Sequence, residues 1–120
     1  MGKKEITASA KKELQEHLIA RYKQNGGSIT YGEMVREAIF TAAVNSLQVK
    51  NEIGYVDQET TGYMFEAFNE TLLELFPKSF KKGDIDEIKM KYEILMNNAN
   101  VKSIVNQHFN DLYSTTTKYV

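Results

Sequence analysis

The chain of 120 residues contains no cysteine, which excludes a disulfide framework, a thiolate zinc site and a cysteine nucleophile. Its single proline, Pro77, leaves most of the chain free to be helical. No stretch approaches the roughly 18 consecutive apolar residues of a membrane-spanning helix. The first residues also lack the apolar run of a secretory signal. We therefore expect a cytoplasmic protein that makes no contact with a membrane.

Neither sign of charge dominates the chain. Lysine and arginine number 15 against 16 aspartates and glutamates, for a net charge of -1. This balance gives no strong overall attraction to nucleic acid or anionic lipid. Hydrophobic residues make up 42% and charged residues 26%, as in an ordinary soluble globular protein. A chain of this length is expected to form one domain with its own core.

Apolar residues recur at helical spacing along most of the chain. The first predicted helix spans about residues 7–25 and ends at the glycine pair 26–27. The second begins at a capping box formed by Thr30 and Glu33, and its apolar face extends to Leu47. Asp57 and Thr60 are alternative caps for a third helix, which stops before Pro77.

Two more helices complete the predicted fold. Asp84 and Glu87 match a second capping box and open the fourth helix. The last helix carries one apolar side, formed by Val101, Ile104, Val105, His108 and Leu112. We predict an all-α, single compact bundle-like domain of about five helices, with a short strand or extended loop near 53–56. Residues 1–6 are expected to form an N-terminal arm and 114–120 a frayed tail.

Side chains able to do chemistry are few and scattered. The only histidines are His17 and His108, far apart in sequence. His17 has Glu13 and Arg21 four residues to either side, which predicts a surface ladder of charges. His108 lies near the apolar side of the last helix, which predicts a partly buried, hydrogen-bonded imidazole. No phosphate-binding or catalytic motif occurs. We expect no metal, no cofactor and no enzymatic activity.

Two groups of residues are candidates for contacts with a protein partner. Several aromatic residues fall outside or at the margins of the main apolar stripes and predict an exposed interface: Tyr55, Tyr63, Phe80, Phe109 and Tyr113. Three glutamates at four-residue spacing form a solvated face or an acidic ridge for a basic partner: Glu66, Glu70 and Glu74.

These features predict a small, non-enzymatic helical protein that acts through protein–protein interaction, as an accessory, assembly or regulatory factor. Phage or mobile-element proteins of this size fit the same description. A homodimer through helices two and three is the simplest version. The alternative is a DNA-binding accessory protein whose lysines contact phosphates without sequence preference. Its candidate contacts are Lys3, Lys4, Lys11, Lys12, Lys78, Lys81 and Lys82.

Overall fold

The computed structural model describes residues 2–118, and it is all-α as predicted. Its five α-helices are α1 (Lys3–Gln24), α2 (Tyr31–Ile53), α3 (Gln58–Leu75), α4 (Ile85–Met96) and α5 (Val101–Lys118). A one-turn 3₁₀ helix at Lys82–Asp84 precedes α4. Within 2–118 there is no strand, and 54–57 forms the extended loop that was the alternative to one.

Both ends of the helical region extend further than the sequence pattern indicates. The helix α1 begins at Lys3, so most of the expected N-terminal arm is helical. The helix α5 continues to Lys118, so 114–118 are helical where a frayed tail was expected. Residues 119 and 120 lie outside the described part of the chain. Polar and β-branched residues disfavour helix only weakly, and neighbouring turns override that preference.

The predicted caps of α2 and α3 are present. The Glu33 amide donates to Thr30 Oγ1 at 3.2 Å, and the Thr30 amide donates to Glu33 Oε1 at 2.9 Å. Each bond satisfies an amide that the helix itself leaves without a partner. Asp57 caps α3 by accepting from the Thr60 amide at 2.6 Å. The helix α2 ends at Gly54, whose φ of 86° lies in the left-handed region that favours glycine.

The predicted capping box between Asp84 and Glu87 is wrong. The Asp84 carboxylate instead accepts from the Lys81 amide at 2.8 Å and closes the 3₁₀ turn before α4. Glu87 faces another helix, where it accepts from the Tyr31 hydroxyl at 2.9 Å. It also pairs with Lys91 one turn along α4 at 2.9 Å. Because the Asp84 carboxylate is already bonded within the 3₁₀ turn, it does not cap α4. Glu87 instead makes a contact with α2.

The helix α2 lies at the centre of the bundle and contacts each of the other four helices. Ala38, Ala42 and Ala43 are fully buried, and their small side chains allow neighbouring helices to approach closely. The core is completed by large side chains from α1, α3 and α4, with Leu14, Phe65, Phe68, Leu72 and Ile88 among the most deeply buried. None of the helices described for 2–118 has the length and apolar character to span a membrane.

Candidate functional site

Polar side chains face each other along the contact between α1 and α2. Four-residue steps along the two antiparallel helices bring Arg21 opposite Glu37 and His17 opposite Thr41. One further step places Glu13 beside Asn45, since both line one cavity and Asn45 influences the Glu13 carboxyl. We call these six residues the polar seam: Glu13, His17, Arg21, Glu37, Thr41 and Asn45.

Glu37 is the most buried member of the polar seam, at 0% exposure. Arg21 donates to its Oε2 twice, from Nε at 3.1 Å and from Nη2 at 2.8 Å. His108 of α5 lies against the same carboxylate, with Nε2 at 3.2 Å from Oε1 and 3.1 Å from Oε2. A carboxylate only accepts hydrogen bonds, so this Nε2 carries a proton. Glu37 therefore joins α1, α2 and α5, and the predicted partly buried, hydrogen-bonded His108 is confirmed.

His17 belongs to the same seam and not to a surface ladder, because α2 covers it. The Thr41 hydroxyl donates to the Glu37 carbonyl oxygen at 2.6 Å. Its one proton is thereby used, so the contact of 2.8 Å between His17 Nδ1 and Thr41 Oγ1 requires the imidazole to donate. Burial lowers the pKa of His17, the nearby Glu37 and Glu16 oppose this shift, and His108 adds to it.

Aromatic rings of α2 and α5 cover the two histidines. Phe40 stacks on His108 with ring centroids 4.0 Å apart and planes inclined by 11°. Phe109 stacks on His17 at a centroid separation of 4.4 Å. The two imidazoles therefore lie between rings and polar partners. Among the described residues, no three side chains capable of ligating a metal ion converge.

In the third pair of the polar seam, Glu13 and Asn45, the hydrogen bonding is incomplete. Glu13 Oε2 and Asn45 Nδ2 are both buried, and neither has a hydrogen-bond partner in the described part of the chain. Burial raises the pKa of Glu13, the adjacent Asn45 amide partly opposes this, and Glu16 reinforces it. The two side chains are thus neighbours without a hydrogen bond of good geometry. Unpaired buried polar atoms are costly, so these two atoms favour a group that can complete their hydrogen bonding.

These unpaired atoms lie in a pocket between α1, α2 and α3, which has a volume of about 380 Å³. Its apolar walls come from Ile6, Ala10, Val49, Ile53, Val56 and Met64. Three acidic residues line it, Glu13, Glu52 and Asp57, and no described lysine, arginine or histidine does. Its volume falls within the range of ligand pockets, which combine apolar walls with a few polar groups.

A second, more open groove runs beside the start of α2, between Arg36, Phe40 and Lys91, with a volume of about 550 Å³. Its acidic member, Glu33, is already engaged by the Thr30 amide and by Asn25. Lys91 is paired with Glu87. The pocket beside Glu13 is the better candidate because it holds buried polar atoms without partners.

The five aromatic residues predicted to form an interface do not form one surface. Phe80 is 1% exposed and is a core residue, because its amide donates to the Phe76 carbonyl at 2.8 Å and turns the chain back inward after Pro77. Phe109 is half-buried against His17. Tyr63 is half-buried and donates to Glu59. Tyr113 and Tyr55 are exposed and lie on α5 and in the 54–57 loop respectively.

The acidic face of α3 contacts lysines of α1. Lys3 pairs with Glu66 at 3.7 Å and Lys11 pairs with Glu70 at 3.0 Å. Glu74 is exposed. Two of the lysines predicted to contact phosphate therefore form ion pairs with two of the glutamates predicted to contact a basic partner. The other five lysines of the predicted nucleic-acid set are exposed: Lys4, Lys12, Lys78, Lys81 and Lys82.

The chain matches no family model, no curated protein and no solved structure. The pocket and the polar seam are therefore the basis for a functional proposal. Of the six seam residues, the sequence pattern singled out the spacing of Glu13, His17 and Arg21, but not the matching spacing on α2. The signal on α2 is a polar residue at every fourth position of an otherwise apolar face.

Proposed function

We propose that this protein is a non-enzymatic binding protein that associates with another protein at the mouth of the pocket beside Glu13. One observation carries the proposal. Ile53 lines the pocket and is 56% exposed, and Tyr55, two residues further along the chain, is 62% exposed. Interfaces concentrate their binding energy in aromatic and apolar residues next to pockets that a partner side chain fills. We call Ile53 and Tyr55 the pocket rim.

The hydrogen bonds made by Glu37 and His17 favour a binding protein over an enzyme. Both Glu37 oxygens accept from His108, and Oε2 also accepts from Arg21. His17 donates from Nδ1 to Thr41. A general acid or base has to reach the proton that it transfers. The polar groups of Arg21, Glu37 and His108 are hydrogen-bonded to one another inside the bundle, where they hold α1, α2 and α5 together.

The simplest partner is a second copy of the chain. The apolar face of α2 is covered by α1 and α4, so the body of α2 is closed to a second copy. The last residue of α2 and the connection to α3, which together carry the pocket rim, remain accessible. A homodimer through helices two and three would therefore form at residues 53–57.

Sedimentation over a wide range of protein concentration tests self-association, and crosslinking to a labelled chain tests other partners. The rim variant carries Ile53→Ser and Tyr55→Ser. Its control carries Met90→Ser and Ile94→Ser, two comparably exposed apolar residues at 55% and 67% on α4. We expect the rim variant to lose association and the control to keep it. Association that survives the rim variant, or is lost in the control, contradicts the proposed site.

Binding to DNA is the second candidate function. Three exposed lysines, Lys78, Lys81 and Lys82, lie within the five residues 78–82, in the segment between α3 and α4. The charge pairs of Lys3 and Lys11 with α3 weaken the case for the other cluster. Anisotropy of a labelled duplex at low and moderate salt separates the candidates. Binding that falls by orders of magnitude with salt, and is lost in Lys81→Glu with Lys82→Glu, favours DNA. We expect no binding.

A further inference from the structure

We infer that the pocket beside Glu13 receives the side chain of a lysine from the partner protein, with the ammonium group at Glu13 and the apolar stem along the pocket walls. This inference rests on the proposed function and identifies the chemistry of the group that docks. It follows from three properties of the pocket: its unpaired acceptor, its charge and its shape.

The unpaired acceptor is Glu13 Oε2. The other carboxylate of the polar seam between α1 and α2 has a cationic partner: Glu37 Oε2 lies 2.8 Å from Arg21 Nη2. Glu13 lies on the facing helix and is partly buried, and among the described residues its buried Oε2 has no hydrogen-bond donor. A buried carboxylate oxygen is stabilised most by a charged donor. The missing group is therefore a cation supplied from outside the chain.

The charge of the lining agrees with a cationic occupant. Glu52 and Asp57 line the pocket together with Glu13, and no described basic residue lines it. Hydrogen bonds from the Thr60 side chain and from the Thr60 amide lower the pKa of Asp57, which keeps that carboxylate ionised. Acidic groups around a low-dielectric cleft attract cations and repel anions.

The shape of the pocket favours lysine over arginine. A flexible four-carbon stem can lie along apolar walls such as Ile6, Val49 and Met64 while its ammonium reaches a polar group. Lysine offers one more apolar carbon to these walls than arginine, and its compact ammonium fits beside the buried Glu13 oxygen that lacks a partner, Oε2.

The test is a titration of the whole chain with blocked lysine, N-acetyl-lysine-N-methylamide, followed by amide chemical shifts in NMR spectra. The neutral comparison is the same compound acetylated on Nζ. We expect saturable shifts of residues lining the pocket, and binding at least about tenfold tighter for the charged compound, as a charge-assisted hydrogen bond implies. Equal affinity for both compounds, or no saturable binding, overturns the inference.

Matched variants locate the ammonium. Glu13→Gln keeps the shape of the side chain and removes its charge, and we expect affinity to fall by about tenfold or more. Glu16→Gln, one turn along α1, removes the same charge from an exposed residue outside the pocket lining, and we expect affinity to change by less than about twofold. Unchanged affinity in Glu13→Gln overturns the inference. Should that variant fail to fold, Ser9→Phe at the exposed edge of the lining is expected to block binding.

Free pentylamine, an alkyl ammonium without a peptide backbone, separates a lysine from a small amine. Tighter binding of pentylamine than of blocked lysine overturns the assignment to a partner protein. Failure of both probes, together with loss of association in the rim variant, overturns the lysine inference and leaves the proposed function standing. Association that is unaffected by the rim variant contradicts the proposed function itself.

Discussion

Arg21 and Glu37 form an ion pair whose carboxylate is completely shielded from solvent: Arg21 Nη2 lies 2.8 Å from Oε2, and the Glu37 side chain is 0% exposed. The Arg21 side chain remains 14% exposed, so the pair connects the interior of the bundle to its surface. Taking both charges out of water is costly, and the cost is offset only while each keeps its partner. The pair is thus a point at which single substitutions have large effects.

Arg21→Met is expected to destabilise the fold by about 3 kcal/mol, because it leaves a buried carboxylate with only His108 as its donor. Urea denaturation at neutral pH measures the loss. The control Arg36→Met removes an exposed arginine and should change stability by less than about 0.5 kcal/mol. Adding Glu37→Leu to Arg21→Met should recover part of the loss. A double variant as unstable as the sum of the two single variants would show that the charges do not interact.

His17 makes stability depend on pH in the range below its ordinary pKa of 6.5. Burial lowers the pKa of His17 in the folded state, so the unfolded chain takes up this proton first as the pH falls. Stability is therefore lost as the pH falls below 6.5, until the pH has passed the lower pKa of His17 in the folded state. Facing groups that modulate the effect are Glu16, Glu37 and His108.

Comparing wild type with His17→Gln isolates this contribution, since the other titrating groups are common to both proteins. Unfolding free energies at about pH 7.5 and about pH 5.5 bracket the ordinary histidine pKa. We expect wild type to lose more stability between the two than the variant. An equal or smaller loss in wild type would mean that folding does not lower this pKa.

Thr30→Ala should cost about 1 kcal/mol of stability, the usual value for the loss of an N-cap hydroxyl. The variant removes the acceptor of the Glu33 amide, a bond of 3.2 Å. Ser28→Ala, two residues earlier at another exposed position, is the control and should be nearly neutral. Thermal unfolding followed by circular dichroism compares them. Equal melting temperatures for both variants would contradict the capping role.

Phe80→Ala tests the assignment of Phe80 to the core. A phenylalanine that is 1% exposed should cost about 3–5 kcal/mol when truncated, through lost burial and the cavity that remains. Tyr55→Ser should leave stability within about 0.5 kcal/mol of wild type, since that ring is largely in solvent. Denaturant unfolding of both variants gives the two values. A loss of stability well below this range for Phe80→Ala would contradict the assignment of this residue to the core.

Features set by a few neighbouring residues could be predicted from the sequence. The caps at Thr30 and Asp57 and the end of α3 before Pro77 depend on residues within one helical turn, and the structure has all three. The predicted capping box at Asp84 is wrong because both of its side chains have other partners: Asp84 accepts from the nearby Lys81 amide, and Glu87 accepts from Tyr31 on the distant helix α2.

The polar seam and its pocket could not be predicted in the same way. The spacing of Glu13, His17 and Arg21 is visible in the sequence, but a charged ladder of this kind usually faces solvent. It faces inward because α2 carries Glu37, Thr41 and Asn45 at the same spacing, in opposite order along the contact. The register between two helices follows from tertiary packing. Phe80 was misplaced for a related reason, since a loop contact decides its burial.

The position of His108 has a consequence for the order in which the chain is made. Arg21 and Glu37 are 16 residues apart, whereas His108 follows Glu37 by 71 residues. A ribosome therefore releases the arginine and its carboxylate long before the imidazole. The Arg21–Glu37 contact needs only α1 and α2, so both of its partners are present before α5 has been synthesised. The contact between His108 and Glu37 can form only once the last helix is complete, which makes it the final step in closing the bundle over this carboxylate.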